Sequence, residues 1–336
     1  MPGEVEWAAL AVVPYGAMRG LALLLLFLAG AMAAEDVREY RDVPVHIEAP
    51  IDFPSRDRLP SWTRATIPAG RTAGVFFWLP FDSREAVPGA FVHTIVFREQ
   101  PRLRITSRDG MTVRGARVAV ASVEPVVIGP PLRGGPWNCA NGPAYNTAHM
   151  TLVTMDGRAR IPQRFGIDFS KVDPAGHRLP DPFPDEITND MFFGYGEAVI
   201  AVADGVIARV VDGIPENVPQ ASGKFVPAVP MTKETISGNW VALRIAPNRW
   251  AFYAHLQPGS IRVKVGQHVK RGQLLGLLGN SGNAVGPHLH FHVGDALAES
   301  LNVNEGVPYV FDSYEAAGKR RTGLLPLNGE TIRFRP

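Results

Sequence analysis

The sequence predicts a mainly β protein in two parts, an N-terminal β-sandwich and, after a linker, a second strand-rich domain. Three observations lead there. Gly (34) and Pro (30) make up about a fifth of the 336 residues, above a usual share of about 12% and below the low-complexity regime. Short apolar runs alternate with Pro, Gly and Asp turns, and no long stretch carries helical periodicity. An apolar share of 46% with 20% charged residues supplies a core and excludes a disordered tail protein, a coiled coil and a multi-pass membrane protein. A net charge of +2 gives no field suited to nucleic acid or an acidic membrane. The single cysteine, Cys139, excludes an internal disulfide framework and a multi-cysteine zinc site.

Residues Leu21 to Ala34 form an apolar run of about fourteen residues behind Arg19, short of the about 20 that span a bilayer. With the small residues Ala31-Met32-Ala33 it reads as a signal peptide over 1–34, cleaved near Ala33 or Ala34. Met18-Arg19-Gly20 is an alternative start, more ordinary than the acidic stretch with Glu4 and Glu6. This reading exports the protein to the periplasm or the extracellular space, with no stable membrane span after cleavage.

Residues 35–127 are expected to form the sandwich. Gly74 to Leu79, Phe91 to Phe97 and Val118 to Val123 are its clearest strand candidates. His46 and His93 are read as structural or surface histidines. Residues 128–148, with Ile128-Gly129-Pro130-Pro131 and Gly134-Gly135-Pro136, read as a linker. Residues 149–300 carry further strands: Ala198 to Val202, Gly205 to Val211, Trp240 to Ile245, Trp250 to Ala254 and Gln273 to Leu278. The Pro-rich stretch Val211 to Glu234 reads as a long loop over the sheet. Residues 301–336 are a C-terminal extension with one short helix candidate, Ser313 to Gly318.

Five of the nine histidines fall in this second part: His149, His255 and the run His288-Leu289-His290-Phe291-His292. In a strand, residues two apart share a face, so His288, His290 and His292 line one side while Leu289 and Phe291 enter the core. Neutral imidazole is a zinc ligand and a general base near neutral pH. His177 and His268 sit in turn-like sequence and are expected to be exposed. Cys139 reads as a small residue or free thiol.

Three ordered motifs resemble the signature of lysostaphin/LytM-type zinc metalloendopeptidases: Gly166-Ile167-Asp168, Tyr253-Ala254-His255-Leu256 and Gly286-Pro287-His288-Leu289-His290-Phe291. Ala201-Val202-Ala203-Asp204-Gly205-Val206-Ile207 and Val265 to Gln273 are similar to two further family hairpins, so the likeness covers roughly Gly157 to Val293. The resemblance implies an antiparallel β-sheet peptidase domain over 149–300, one zinc ion, and cleavage of peptide bonds in bacterial peptidoglycan. Residue by residue it implies Asp168 and His290 as metal ligands and His255 and His288 as the catalytic histidines. His292 is then a candidate for a supporting residue behind the metal.

The family's first ligand, a histidine four residues before the aspartate, is here Arg164. Guanidinium has no lone pair to give. A unit charge 4 Å away at an effective dielectric of 20 is worth about 4 kcal/mol, hence roughly 8 against a bare divalent ion. Either Arg164 points away from the metal, another residue replaces the ligand, or no catalytic zinc binds. Hairpin geometry offers His149 as the replacement. Met155-Asp156-Gly157-Arg158 carries the Asp-Gly signal of a two-residue turn. Continued pairing in that register places His149 opposite Arg164 and on the face of Asp168. Arg164 itself is a candidate to bind a substrate carboxylate through its planar fork.

The function expected is an exported zinc metalloendopeptidase acting on peptidoglycan peptides. The alternative is a catalytically inactive LytM-like protein that binds the wall or regulates another hydrolase. A sugar- or lipid-binding export protein is a third reading, and the His-Leu-His run after Gly-Pro speaks against it.

Overall fold

The computed structural model describes residues 123–335 apart from 144–146, 152, 156–157, 183–185, 221–222 and 298–303, together with Gly89 and the backbone of seven strands within residues 10–122. The chain divides into two compact units, Met1–Glu124 with Asp156–Ala159, and Pro125–Met155 with Arg160–Pro336. It is mainly β throughout. Among the described residues the helical turns are Ala148–Met150 and Asn189–Met191. No helix there is long and apolar enough to cross a membrane.

The first unit contains a four-stranded sheet in the order Leu10–Val12, Thr112–Ser122, Ala90–Val96, Val37–Arg38. A three-stranded sheet runs Ala22–Leu24, Gly74–Leu79, Val45–Glu48. The strand expected at Gly74 to Leu79 has those bounds. The side chains that would form a sandwich core, His46 and His93 included, lie outside the described residues. So does the predicted leader, apart from two short strand backbones.

The second unit is organised on a ten-stranded sheet. Its strands are β1 (Gly134–Ala140), β2 (Ile167–Lys171), β3 (Gly205–Val211), β4 (Asn239–Ala246), β5 (Arg249–Leu256), β6 (His268–Val269), β7 (Leu289–Gly294), β8 (Tyr314–Ala316), β9 (Lys319–Arg321) and β10 (Thr331–Phe334). The spatial order is β6-β3-β4-β5-β7-β2-β1-β10-β8-β9. Neighbours throughout it run antiparallel. Ala198–Ile200 pairs with Leu274–Leu277 in a separate two-stranded sheet. The stretch expected as a long loop contains one short pair, Val218–Pro219 with Phe225–Val226. Asn217 ties that loop down, donating to the carbonyls of Gly282 (2.5 Å) and Ala284 (2.9 Å).

Two expectations differ from the structure. The segment read as a linker, 128–148, contains β1, which pairs with β2 on one side and β10 on the other. Its Gly and Pro residues punctuate only the approach. From Trp137 the chain alternates, with Trp137 and Cys139 fully buried, and that period of two is a strand. In the C-terminal extension, the helix candidate Ser313 to Gly318 is instead strand β8 and a turn. Ala317 and Gly318 both have positive φ, 48° and 71°, the requirement of a two-residue hairpin turn, and β9 returns antiparallel.

One face of the sheet carries an aromatic core. Phe291 meets Tyr253 (ring centroids 5.2 Å) and Tyr309 (5.3 Å), and Phe311 meets Phe334 (5.1 Å). The phenol of Tyr253 accepts the Val202 N–H at 2.9 Å, so its polar end is satisfied inside. Because Phe334 is 1% exposed and comes from the tail, Phe334→Ala is expected to cost about 3–5 kcal/mol. Chemical denaturation checks this, and a loss under about 0.5 kcal/mol, the range of ordinary surface changes, would show the tail to be dispensable.

Candidate metal and catalytic centre

The other face of the same ladder carries the chemistry. Strand β7 lies between β5 and β2, with Asp168 opposite His290 and Ala254 opposite His290 on the far side. Register therefore sets the Asp168 carboxylate beside His290 while Ile167, Phe169 and Phe291 fill the core. Asp168 Oδ1 lies 2.9 Å from His290 Nδ1 and 3.2 Å from His149 Nε2, and those two nitrogens are 3.1 Å apart. Asp168 Oδ2 accepts a hydrogen bond from Asn141 Nδ2 at 2.7 Å.

His149 reaches this point by a different route from the predicted hairpin. Val153–Met155 and Arg158–Arg160 do pair as a two-stranded sheet, though the Asp156-Gly157 turn lies outside the described residues. The ladder does not continue to His149 and Arg164. His149 sits in the helical turn Ala148–Met150, and Arg164 in a tight turn after Pro162 closed by Arg164 N–H to Ile161 O (3.3 Å). Pro162 has no N–H to extend a ladder, and Ile161 N–H is bonded to Glu305 Oε2 at 3.2 Å instead.

Arg164 is 3% exposed and its guanidinium pairs with Glu305. Burial lowers its pKa to about 10, which leaves it charged at neutral pH. The cation is therefore directed at a carboxylate in the interior rather than at an open groove.

The three converging atoms are all lone-pair donors, and such a set is unfavourable unless a proton or a cation lies between them. Zinc bonds of about 2.0–2.2 Å in tetrahedral geometry separate ligand atoms by about 3.3 Å. The observed 2.9 to 3.2 Å fits that spacing. Among the described residues His149, Asp168 and His290 are the group able to hold a metal. Burial opposes ionisation of Asp168, but His149 and His288 beside it hold its carboxyl well below the usual range. Burial likewise opposes protonation of His149, and Asp168 outweighs it, raising the imidazole above 6.5.

His255 and His288 flank the cluster, with their rings 4.8 Å apart and His255 6.0 Å from His290. Strict alternation from Tyr253 would put His255 on the core face. Instead, Ala254 and His255 together stand opposite the single residue Trp240, and His255 has a φ of 65°. This is a β-bulge, which re-aims a side chain and recurs beside active sites. The Nδ1 of His255 is 2.8 Å from Ser281 O and that of His288 2.9 Å from Gly286 O. A carbonyl only accepts, so each Nδ1 carries the proton and each Nε2 keeps its lone pair. Burial, with His288 and His290 nearby, pushes His255 well below its ordinary value, and burial lowers His288 too. Both are neutral at physiological pH.

Behind His290 stands His292, fully buried, with its Nδ1 3.0 Å from His290 Nε2 and its ring stacked on Phe252 at 4.7 Å. Asn304 is its next polar neighbour. Gly294 makes room for Asn304, since a Cβ there would come within 2.6 Å of Asn304 Cγ. Three contributing residues escaped the sequence reading: Asn141, Asn304 and Arg178. Arg178 donates to Pro287 O (2.9 Å), just before His288, and lies over Phe192. Asn141-Gly142 is a turn signal, but only the β1–β2 register aims Asn141 at Asp168. Nothing local marks the other two. Outside the centre, His268 is exposed, and His177 pairs with Asp173 (3.3 Å). Cys139 is buried on the core face, which pushes its thiol up.

Residues 188–303 match the model of peptidase family M23. The match includes His255, His288, His290 and His292 and begins after His149, Arg164 and Asp168. A Haemophilus influenzae protein described as an uncharacterized metalloprotease is 33% identical over 168 residues, 49% of this chain and 30% of its own length. Peptidoglycan DD-endopeptidase ShyA of Vibrio cholerae is 44% identical over 57 residues, 17% of this chain and 13% of its own length. The chain thus spans less than a third of the length of these curated relatives. A solved catalytic domain, a point mutant of the prophage-encoded M23 protein EnpA from Enterococcus faecalis, is 20% identical with a TM-score of 0.32, covering 53% of this chain and 92% of that one.

Two outcomes are expected of this geometry. His292→Ala removes the partner that orients His290 and should weaken zinc binding about 10–100-fold, measured by chelator competition; unchanged affinity would remove His292 from the centre. In the metal-free protein, His255, His288, His290 and His292 all have pKa values below 6.5. Below about pH 6.5 the unfolded chain binds protons that these buried rings refuse, so stability falls as pH falls. His290, lowered to about 4 by burial and His149, contributes roughly 3 kcal/mol of that loss. Asp168 acts in the same direction and His149, raised, in the opposite one. Denaturant melts from pH 7 to pH 4 test the net fall, and a flat profile would contradict it.

Proposed function

We propose, from the premise that residues 188–303 form a peptidase family M23 domain, that the chain is an exported zinc metalloendopeptidase cleaving peptide bonds in bacterial peptidoglycan. The observation that carries the reading is the convergence of His149 Nε2, Asp168 Oδ1 and His290 Nδ1 within 3.2 Å of one another, flanked by two neutral imidazoles. The export signal read at 1–34 and the peptidoglycan DD-endopeptidase relatives favour the wall as the place of action.

His149, Asp168 and His290 would hold the zinc. When bound, that ion polarises the scissile carbonyl and lowers the pKa of a water. The remaining work belongs to His255 and His288. Each has its Nδ1 proton tied to a carbonyl and its Nε2 free to accept a proton from the attacking water. A ring that has taken that proton can donate it to the departing amine, and general acid–base transfer of this kind contributes about 10²–10⁴-fold. The second ring, whose Nε2 likewise only accepts, can orient the other proton of that water.

Metal analysis joined to digestion of purified peptidoglycan tests the reading. Protein purified without chelator should carry one zinc per chain and release soluble fragments. His290→Ala should lose the metal, and His149→Ala should bind it far more weakly. His255→Ala should keep the metal and lose cleavage by about 10²–10⁴-fold. A metal-free, inert protein would sink the proposal in favour of a wall-binding relative without activity. Full metal retention in His149→Ala would remove that residue from the ligand set.

A further inference from the structure

Away from the metal centre, the second unit contains a cavity of about 500 Å³ whose lining includes four arginines, Arg133, Arg271, Arg320 and Arg335. Strand β1 starts beside Arg133 and ends beside Asn141, which binds Asp168, so the two sites lie roughly 25 Å apart along that strand. The floor is apolar: Leu132 (0% exposed), Ile200 (5%) and the ring of Tyr314 (4%). A volume in this range suits a small organic ligand, for which such sites combine apolar walls with a few placed polar groups.

Three of the four guanidiniums are held in place. Arg133 Nη2 donates to Gly272 O at 2.8 Å. Arg271 pairs with Asp312 and lies against Gly129, where a Cβ would collide with its Nε. Arg335 bonds Glu315 through Nε at 2.8 Å and Nη2 at 2.5 Å. Arg320 stands opposite Glu315 across the β8–β9 pair, but that carboxylate is taken by Arg335. Among the described residues two carboxylates thus face four cations. Each guanidinium has about five N–H donors in a planar fork that matches carboxylate and phosphate oxygens, and these few bonds use a minority of them. A group of like charges around an apolar hollow repels itself unless an anion enters. Holding the tail to the sheet would need matched ion pairs, not this excess.

We propose that this cavity is a second binding site for a ligand carrying two anionic charges, carboxylate or phosphate, on a small apolar frame. The inference goes beyond the peptidase reading and stands if that reading fails. Carboxylates would come from a peptide, and phosphate from a phosphate-bearing polymer or headgroup.

The test is calorimetric titration of the full chain with N-acetylglutamate and with glycerol 3-phosphate. Their neutral counterparts, N-acetylglutamine amide and glycerol, are run beside them. At least one dianion should bind saturably, and the tighter of the two identifies the source. The double variant Arg133→Gln/Arg320→Gln, altered at exposed side chains, should weaken that binding roughly 10–100-fold, the range of lost charge-assisted hydrogen bonds. Arg335→Gln alone gives a second reading from the other wall if the double variant melts early. The proposal is overturned if neither dianion binds better than its neutral counterpart, or if the arginine variants bind as well as the parent.

Discussion

The pairing of Asp168 with His290 across β2 and β7 is the constraint on which the second unit depends. A carboxylate at 9% exposure is costly unless it is paired and hydrogen-bonded. Here Oδ1 is shared by imidazoles and Oδ2 is taken by Asn141. Those contacts exist only in one register. A slip of one residue would turn Asp168 toward Phe291 and the aromatic core, and send Phe169 to the polar side. The hydrophobic face and the chemical face are therefore two consequences of one ladder, and neither can be changed alone. Strands β1 and β10, packed beyond β2, guard that register from the far side.

Around this pair the chain accepts two local departures from regular structure. His255 takes a left-handed conformation that costs of order 1–3 kcal/mol for a residue of its kind. Its surroundings offset the cost: its N–H reaches Ser237 O (3.2 Å), its O accepts from Gly279 N–H (3.1 Å), and its ring binds Ser281 O. The second departure is Arg164. Its Cγ packs where Gly306 lacks a side chain, with only 3.1 Å left for a Cβ, and its charge is answered by Glu305. Removing Glu305 would strand the buried Arg164 charge, so this arginine is built into the structure with its carboxylate partner. The third donor then arrives from a different segment, the helical turn holding His149.

Legibility in the sequence follows the range of the interactions. Strands with a clear period, such as Gly205–Val211 and those near Trp240 and Trp250, can be read with bounds close to those found. The shared face of His290 and His292 follows from the same period of two. Punctuation misleads: Gly-Pro richness before Trp137 masks β1, and Ala317-Gly318 reads as helix because alanine rarely accepts a positive φ. His149 does stand beside Asp168, but not by the hairpin register, since Pro162 ends the ladder that was to deliver it. The His255 bulge depends on Trp240 across the sheet, and Asn304 and Arg178 depend on partners far along the chain. No local pattern encodes those.

The division of labour among the histidines follows from what each ring's other nitrogen touches. His255 and His288 face backbone carbonyls with Nδ1, so each must carry its proton there and present Nε2 as an acceptor. His290 faces Asp168 and His149 with Nδ1, and its Nε2 faces His292. A ring that gives its Nδ1 lone pair to a metal must hold its proton on Nε2 and donate it to His292 Nδ1. His292 then carries its own proton on Nε2, toward Asn304. With zinc bound as proposed, four chemically identical side chains would serve as two proton acceptors, one ligand and one support. The distinction lies in Ser281 O, Gly286 O and Asn304 as much as in the histidines themselves.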